Sequence, residues 1–565
     1  MSGSKLLIAA VALTISTQLI SEVFAADTTS YIGAVVEYYP VTNGTNGTTI
    51  ANANAENYVT IMEKAATYST DIIVFPESSL TMGLDSSDTE RTLFPLYSSF
   101  IPDPGTDVPC DNSSTVVMEA LRLISCGAKN NSMYVVVNLH EKENCTTTGT
   151  SSRPCPSDGY FYYNTNVAFD RKGAIVSRYR KFNLFGEWGF NITSTPDIAT
   201  FTTDFNVTFG QIICFDILFK TPTLTLINDY NVTDIIFSVH WFSEMPYLTS
   251  VQTQTAWSYT NDVNLLASGF NMPATGSGGS GIYAGTNGRL VSLFSESAKN
   301  ALLVARVPKV IDGVRSNVTS TTNPLSYEFS NTEITTLVGI TTVAQQALMQ
   351  DILTPYTTSV LSLTNGTTVS WIELCDRQLC CSFYVNMTFD AGSVDSSANY
   401  YRYRIAVFNG VRTHSGVATT GVQICSIIAC TDDTVGSCGL RFAATDTVLQ
   451  PTVFNDIVVS GNFSTTSDTM QMPDSLSIDI LPLSISDFTY KKTAISGSSL
   501  ANITHALTTK TSNLLTFAIY GRNFSADGLA VTESVVSSAI SFSRLSLVLT
   551  TVFAVLISLH IWTKY

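Results

Sequence analysis

The chain has 565 residues and a formal net charge of −16. An acidic surplus of that size argues against nucleic-acid partners and against adsorption to anionic lipid. About 500 residues lie between two ends of targeting character, too many for one core, so at least two domains are expected.

Residues 1–25 read as a signal peptide: Lys5 gives the positive region, Leu6 to Leu13 the apolar stretch, and Val23-Phe24-Ala25 a small-residue cleavage pattern. The apolar stretch is too short, and too broken by Thr14, Ser16 and Gln18, to span a bilayer. Residues 31–39 (YIGAVVEYY) are a first strand, and residues 51–67 show helical spacing with Tyr58, Ile61, Met62 and Ala65 on one stripe. Residues 71–75 are a continuous apolar strand, as in sheets buried on both faces, ending in Pro76 and Glu77.

Residues 116–129 are predicted helical and 133–138 (MYVVVN) a buried strand. Residues 162–169 and 174–180 form a hairpin around Asp170-Arg171-Lys172-Gly173, and its second strand delivers Arg180-Lys181. Residues 209–213 lead into Cys214, followed by Asp216 in a turn that the carboxylate can fix through a backbone hydrogen bond. Residues 234–240 form a strand, 249–262 a helix, 264–270 a strand, and Gly276 to Gly281 a flexible glycine-rich loop near the site. That loop lacks the lysine and the strand–helix setting of a phosphate loop. Alternating strands and helices give an α/β layered domain ending near residue 320. From about residue 330 short Thr/Val/Ser-rich strands predict a separate, mostly β domain.

Near the C-terminus, small residues at Ser534, Ser537 and Ser538 precede an apolar run from Leu545 to Trp562. That is the layout of a GPI signal, with 521–544 as a stalk and 545–565 as the removed tail; the rival is a single spanning helix. Lack of a basic cluster after the run favours the lipid anchor. Asn-X-Ser/Thr acceptors occur at Asn43, Asn46, Asn112, Asn130, Asn144, Asn191, Asn206, Asn231, Asn317, Asn365, Asn386, Asn462, Asn502 and Asn523. Each fits only an exposed surface in a secretory route.

The cysteines number 11. Cys110, Cys126, Cys145 and Cys155 form one group, and Cys375, Cys380, Cys381, Cys425, Cys430 and Cys438 another; both can pair internally. Proximity favours Cys110 with Cys126 and Cys145 with Cys155. Cys214 stands alone in a hydrophobic strand, either as an inert core thiol or as a nucleophile held at a cleft. The His residues, 5 in number, are dispersed, so no metal or cofactor is expected.

Strand ends at Glu77, Lys181 and Cys214 bring complementary chemistry. A carboxylate can take the thiol proton, an ammonium can stabilise a thiolate and an oxyanion, and the sulfur can attack a carbonyl. On this reading the Cys214 thiol ionises below the ordinary range. Phe75-Pro76-Glu77, the stretch from Arg180-Lys181 to Glu187, and Cys214-Phe215-Asp216 resemble the three signature segments of the nitrilase superfamily. Residues 163–170 (YNTNVAFD), 209–219, 277–284 (SGGSGIYA), Ile101 to Pro104 before Cys110, and Cys375 to Cys381 are similar to the vanin and biotinidase branch.

The resemblance implies an α-β-β-α sandwich over 26–325 and a vanin-type β-rich domain over 326–520. It also implies an extracellular amidohydrolase with Glu77 as general base, Cys214 as nucleophile, and Lys181 with the Phe215 backbone N–H as oxyanion stabilisers. Vanins cleave pantetheine and biotinidase cleaves biotinyl-lysine; the contrasting class is a non-catalytic surface glycoprotein on the same fold. Glu187 is placed to orient Lys181 or the water, with a solvated loop carboxylate as the alternative. Trp241 after His240 is placed to line an acyl pocket, with a core position as the alternative. Glu141 lies near a point where nitrilases sometimes carry a further glutamate.

Overall fold

A computed structural model describes residues 28–42, 46–81, 91–105, 107–145, 153–318, 324–334 and 343–533. The expected signal peptide, the acceptor Asn43, the attachment residues Ser534, Ser537 and Ser538, and the apolar tail lie outside the described residues.

Strand β1 (Ser30–Glu37) leads to helix α1 (Gly47–Ala66). The helix starts earlier than its apolar spacing indicates because Asn46 caps it, accepting a hydrogen bond from the Thr49 N–H. Next come β2 (Ile72–Val74) and α2 (Glu119–Asn131). α2 starts later than expected, because Met118 is extended at φ −66°, ψ 151°. Strand β3 (Tyr134–Asn144) outruns its apolar stretch, since residues as far as Asn144 stay in register with β4 (Tyr160–Phe169). After β5 (Ile175–Arg180) come β6 (Thr200–Thr202) and β7 (Thr208–Ile213), then a helical turn over Cys214–Leu218. The domain continues through α3 (Thr223–Asn228), β8 (Asp234–Val239), α4 (Ser250–Asn261) and β9 (Asn264–Gly269). It closes with β10 (Ser280–Ala284), β11 (Arg289–Leu293), β12 (Ala301–Pro308) and β13 (Leu325–Glu328).

One sheet runs β13-β12-β1-β2-β3-β4-β5 and the other β11-β10-β9-β8-β7-β6. Between them lie Val35, Val74, Val136, Ile236, Leu266 and Leu303. Val135 and Val137, one residue either side of Val136, turn the other way and join the core under α1 and α2. Leu224, Leu226, Val251 and Trp257 form the core of the second helix layer. The result is an α-β-β-α sandwich whose central strands are apolar on both faces, which is why they read as unbroken hydrophobic runs.

The glycine-rich stretch differs from expectation. Residues 277–281 are buried, and the last two belong to β10 rather than to a flexible loop. The Gly279 N–H donates to both oxygens of buried Glu37 at 3.0 and 3.1 Å. Gly279 has φ 110°, and a Cβ there would lie 2.0 Å from Ser250 Oγ, so only glycine fits.

Two five-stranded sheets follow. Their strands are β14 (Thr357–Leu361), β15 (Gly366–Asp376), β16 (Leu379–Phe389), β17 (Arg402–His414) and β18 (Ala418–Cys430), then β19 (Thr452–Ser464), β20 (Thr469–Ser477), β21 (Phe488–Ala494), β22 (Leu500–Leu507) and β23 (Leu514–Asn523). The orders are β14-β17-β18-β23-β20 and β15-β16-β19-β22-β21. Phe383, Val385, Ile405, Val407, Ile427 and Phe517 fill the space between the sheets. The opposite face of the first sheet, with Phe408, Ile424, Ile428 and Tyr520, joins the core of the helix layer that carries α3 and α4. The β sandwich is therefore stacked on the α-β-β-α sandwich.

Packing departs from the expected boundaries at two points. β13 pairs with β12, and Phe329 and Ile334 join the core under α1, so the first sheet continues past residue 325. β23 and the contact of Thr532 with Val411 extend the second unit past 520. The disulfides pair Cys110 with Cys126, Cys145 with Cys155, Cys375 with Cys380, Cys381 with Cys425, and Cys430 with Cys438. Cys214 is free. The described Asn-X-Ser/Thr acceptors are all exposed or part-exposed.

Candidate active site

The three strand ends meet. β2 releases the chain at Phe75, and Glu77 is turned inward, 2% exposed. Its Oε1 accepts from Lys181 Nζ at 2.7 Å and from Asn164 Nδ2 at 2.8 Å. Its Oε2 accepts from the His240 N–H at 2.8 Å. Lys181 follows β5, with its own N–H bonded to Asn164 O at 2.8 Å. Its ammonium also sits 3.0 Å from Glu187 Oε2. Glu187 is not a solvated loop carboxylate: it is buried, and its Oε1 accepts from Asn164 Nδ2 at 2.6 Å. One ammonium thus lies between two carboxylates, and one amide donates to both.

Cys214 opens the helical turn with φ 47°, a left-handed conformation that costs a non-glycine residue of the order of 1 kcal/mol or more. Asp216 holds that turn. Its Oδ2 accepts from the Ile213 N–H at 3.0 Å and from Tyr179 Oη at 2.7 Å. Its Oδ1 accepts from the Asn183 N–H and Nδ2 at 2.9 and 2.8 Å. Burial pushes the Asp216 carboxyl up, and these hydrogen bonds oppose it. The Phe215 N–H lies in the first turn of the same short helix, where backbone donors lack intrahelical acceptors.

The electrostatics correct one expectation. Burial pushes the Cys214 thiol well above its ordinary range; Glu77 adds to this and Lys181 opposes it. Burial, with help from Glu187, also raises the Glu77 carboxyl against the pull of Lys181. Burial works against the Lys181 charge, but Glu187 and Glu77 outweigh it and hold the ammonium well above its usual range. The site carries two carboxylates for one ammonium, so a further anion on sulfur is disfavoured. Cys214 Sγ lies 3.4 Å from the His240 carbonyl oxygen, an acceptor for a protonated thiol.

Beside Cys214 is a small, partly open pocket whose walls include Phe185, Phe215, Leu218, Trp241 and Leu248. Trp241 lines it and is also packed in the core of the second helix layer, with its indole N–H donating to Leu248 O at 2.8 Å. Glu141 takes no part in this cluster. It accepts from Arg180 Nε at 2.9 Å and Thr165 Oγ1 at 2.8 Å in a separate ion-pair group.

A Carbon-nitrogen hydrolase family model matches residues 38–297, and a Vanin C-terminal domain model matches residues 345–527. The chain is 36% identical over 477 residues to Vanin-like protein 1 of Drosophila melanogaster, covering 83% of this chain and 81% of that protein. The chain belongs to the vanin family. It is 32% identical over 422 residues to a Pantetheinase of Canis lupus familiaris, covering 74% of each. It is 29% identical over 457 residues to a Biotinidase of Takifugu rubripes, covering 77% of this chain and 84% of that one. The protein is a carbon–nitrogen hydrolase of the vanin, pantetheinase and biotinidase kind.

Two sets of vanin-fold residues at the site escaped the sequence. Asn138 Nδ2 donates to Asn164 Oδ1 at 2.7 Å and so fixes which way Asn164 faces. Asn164 lies inside the YNTNVAFD segment, where a buried polar residue on a strand was the available signal. The other set comes from the C-terminal domain: His414 and Ser415 also line the pocket, with Glu244 and Met349. No local pattern marks them.

Proposed function

We propose that this vanin-family hydrolase cleaves a linear amide through a thioester at Cys214, with pantetheine as substrate and pantothenate and cysteamine as products. The observation that carries the reading is the buried Glu77–Lys181–Glu187 arrangement beside a strained cysteine turn. Glu77 takes the thiol proton as Sγ attacks the substrate carbonyl carbon. The oxyanion meets the Lys181 ammonium, which has three protons and gives two to carboxylates, together with the Phe215 N–H. The intermediate collapses, the C–N bond breaks, and the amine leaves with the proton from Glu77. Water then attacks the thioester, its proton passing to Glu77, and the acid departs as the thiol is restored.

The raised thiol pKa fits attack coupled to proton transfer rather than a standing thiolate. Asp216 keeps the Cys214 turn, and Glu187 holds Lys181. Pantetheine is preferred because matches named Pantetheinase cover 74% of the chain. The similarity to a Biotinidase makes biotinyl-lysine the second substrate to assay. The same reading places the protein in the secretory route, glycosylated and held at the outer cell surface by a GPI anchor. Five disulfides suit an oxidising compartment.

The test is amine release from pantetheine and from biotinyl-lysine by wild type and Cys214→Ala. We expect release from pantetheine, lost in the variant without loss of folding. Hydrolysis that survives Cys214→Ala would end the assignment.

A further inference from the structure

The pocket beside Cys214 is not made by the hydrolase domain alone. Strands β17 and β18 form a hairpin whose turn passes through Ser415 and Gly416 at φ 50° and 73°. Its end places His414 and Ser415 in the pocket wall. The His414 ring stands edge-on to Phe215 at 5.4 Å, and its Nε2 is 2.7 Å from Thr420 Oγ1. Val417 of the same turn lies against Gly186, between Lys181 and Glu187 in the chain; a Cβ on Gly186 would sit 3.5 Å from Val417 Cγ2.

Arg412, two residues before His414, reaches back into the hydrolase domain. Its Nη2 is hydrogen-bonded to Glu244 Oε1 and lies 3.2 Å from Asp351 Oδ1. Asp351 is further satisfied by Tyr356 Oη, which donates to its Oδ2 at 2.8 Å. Glu244 is the one acidic side chain among the pocket-lining residues, and its neighbours there are largely aromatic or aliphatic. Among the described residues no hydrogen bond is donated to Glu244 Oε2, and the Glu244 side chain keeps 11% of its surface exposed. One guanidinium shared by two carboxylates leaves the group short of positive charge. A carboxylate oxygen in an apolar pocket favours a ligand that brings a donor to it.

We propose that Glu244 is the specificity-determining residue of the pocket, accepting a hydrogen bond from a hydroxyl or amide N–H on the substrate's acyl group. Arg412 is its positioning residue, and the Ser415 turn of the C-terminal domain completes the wall around that group. Selection at a site in the hydrolase domain then depends in part on residues supplied by the C-terminal domain. This rests on the amidase reading above and adds the acyl group's chemistry to it. A site that hydrogen-bonds a substrate group discriminates strongly against an analogue lacking it, because the buried polar atom is left unpaired.

The test uses the full chain and two amides of the same amine: pantetheine, whose acyl group carries hydroxyl and amide donors, and an N-alkanoyl cysteamine of matched length without them. In Glu244→Gln an amide replaces the free acceptor. The ratio of kcat/KM for pantetheine over the alkanoyl amide should fall at least about tenfold, mainly through KM for pantetheine. A ratio that stays within about twofold of wild type overturns the proposal, because a merely structural role moves both substrates together. Should Glu244→Gln fail to fold, Ser415→Asn decides. Asparagine tolerates the positive φ, the site is exposed, and the bulkier tip should shift the same ratio at least about threefold. An unchanged ratio there overturns the proposal as well. Absence of turnover of either amide by wild type is a separate result: it removes the amidase reading, and this inference with it.

Discussion

On the proposed mechanism Cys214 is the residue on which the chemistry turns, and its surroundings would make it a guarded nucleophile. A thiol held above its ordinary pKa by burial and by Glu77 stays protonated at neutral pH. We therefore expect iodoacetamide to label Cys214 of the resting protein more slowly than a free thiol at about pH 8. Glu77→Gln removes the neighbouring negative charge and should speed that labelling while abolishing turnover. Peptide mass spectrometry checks the first result and amine release the second; faster labelling of the wild type than of the free thiol would contradict the electrostatics. Glu77, Lys181 and Cys214 were legible in the sequence because each follows a strand and lies in a segment that resembles a nitrilase signature; their strand-end positions alone were weak signals. The sequence did not show Asn138 or Asn164, whose importance comes from cross-strand register. Asn164 stands between the two carboxylates only because β4 lies antiparallel to β3 and β5.

At the scale of elements, strands buried on both faces were the most legible feature, since they read as continuous apolar runs. Helix starts were less so: Asn46 caps α1 from within a polar loop, and the extended Met118 delays α2. The glycine-rich segment misled because composition cannot show that Glu37 lies beneath it. Glu37 is fully buried, and burial raises its carboxyl to about 7, against hydrogen bonds from Ser280, Asn271 and Gly279. A folded-state pKa above the unfolded value means that the folded state holds the proton more tightly. That contribution to stability is complete below the unfolded pKa, about 4.5, and is lost as pH rises through about 7. Relative to Glu37→Gln, the wild type should lose about 3 kcal/mol between those limits. Urea denaturation of both proteins across this range measures the difference. Parallel curves would show that the surrounding donors hold Glu37 ionised throughout.

For the whole molecule, the decisive feature is that the sheet containing β17, β18 and β23 has two apolar faces, one toward its own sandwich and one toward the helix layer of the hydrolase domain. The sequence announced a second domain by its change of texture and its cysteines. It could not announce that Phe408, Ile424 and Tyr520 share a core with Val251 and Trp257, because that contact joins segments far apart in the chain. Residues 26–325 produced alone should therefore be aggregated or inactive, since removing the partner uncovers that helix face and also cuts into β13. Gel filtration and amide hydrolysis of the truncated chain check this; a monodisperse, fully active fragment would separate the two domains functionally.

On the proposed mechanism Cys214 carries the acyl group during turnover. The direct measurement is acid quench of the protein during pantetheine hydrolysis, followed by mass analysis of the intact chain and of the peptide containing Cys214. A pantothenoyl mass increment is expected on Cys214, sensitive to hydroxylamine and absent from Cys214→Ala. Steady turnover of pantetheine with no increment on Cys214, or with an increment on another residue, would contradict it.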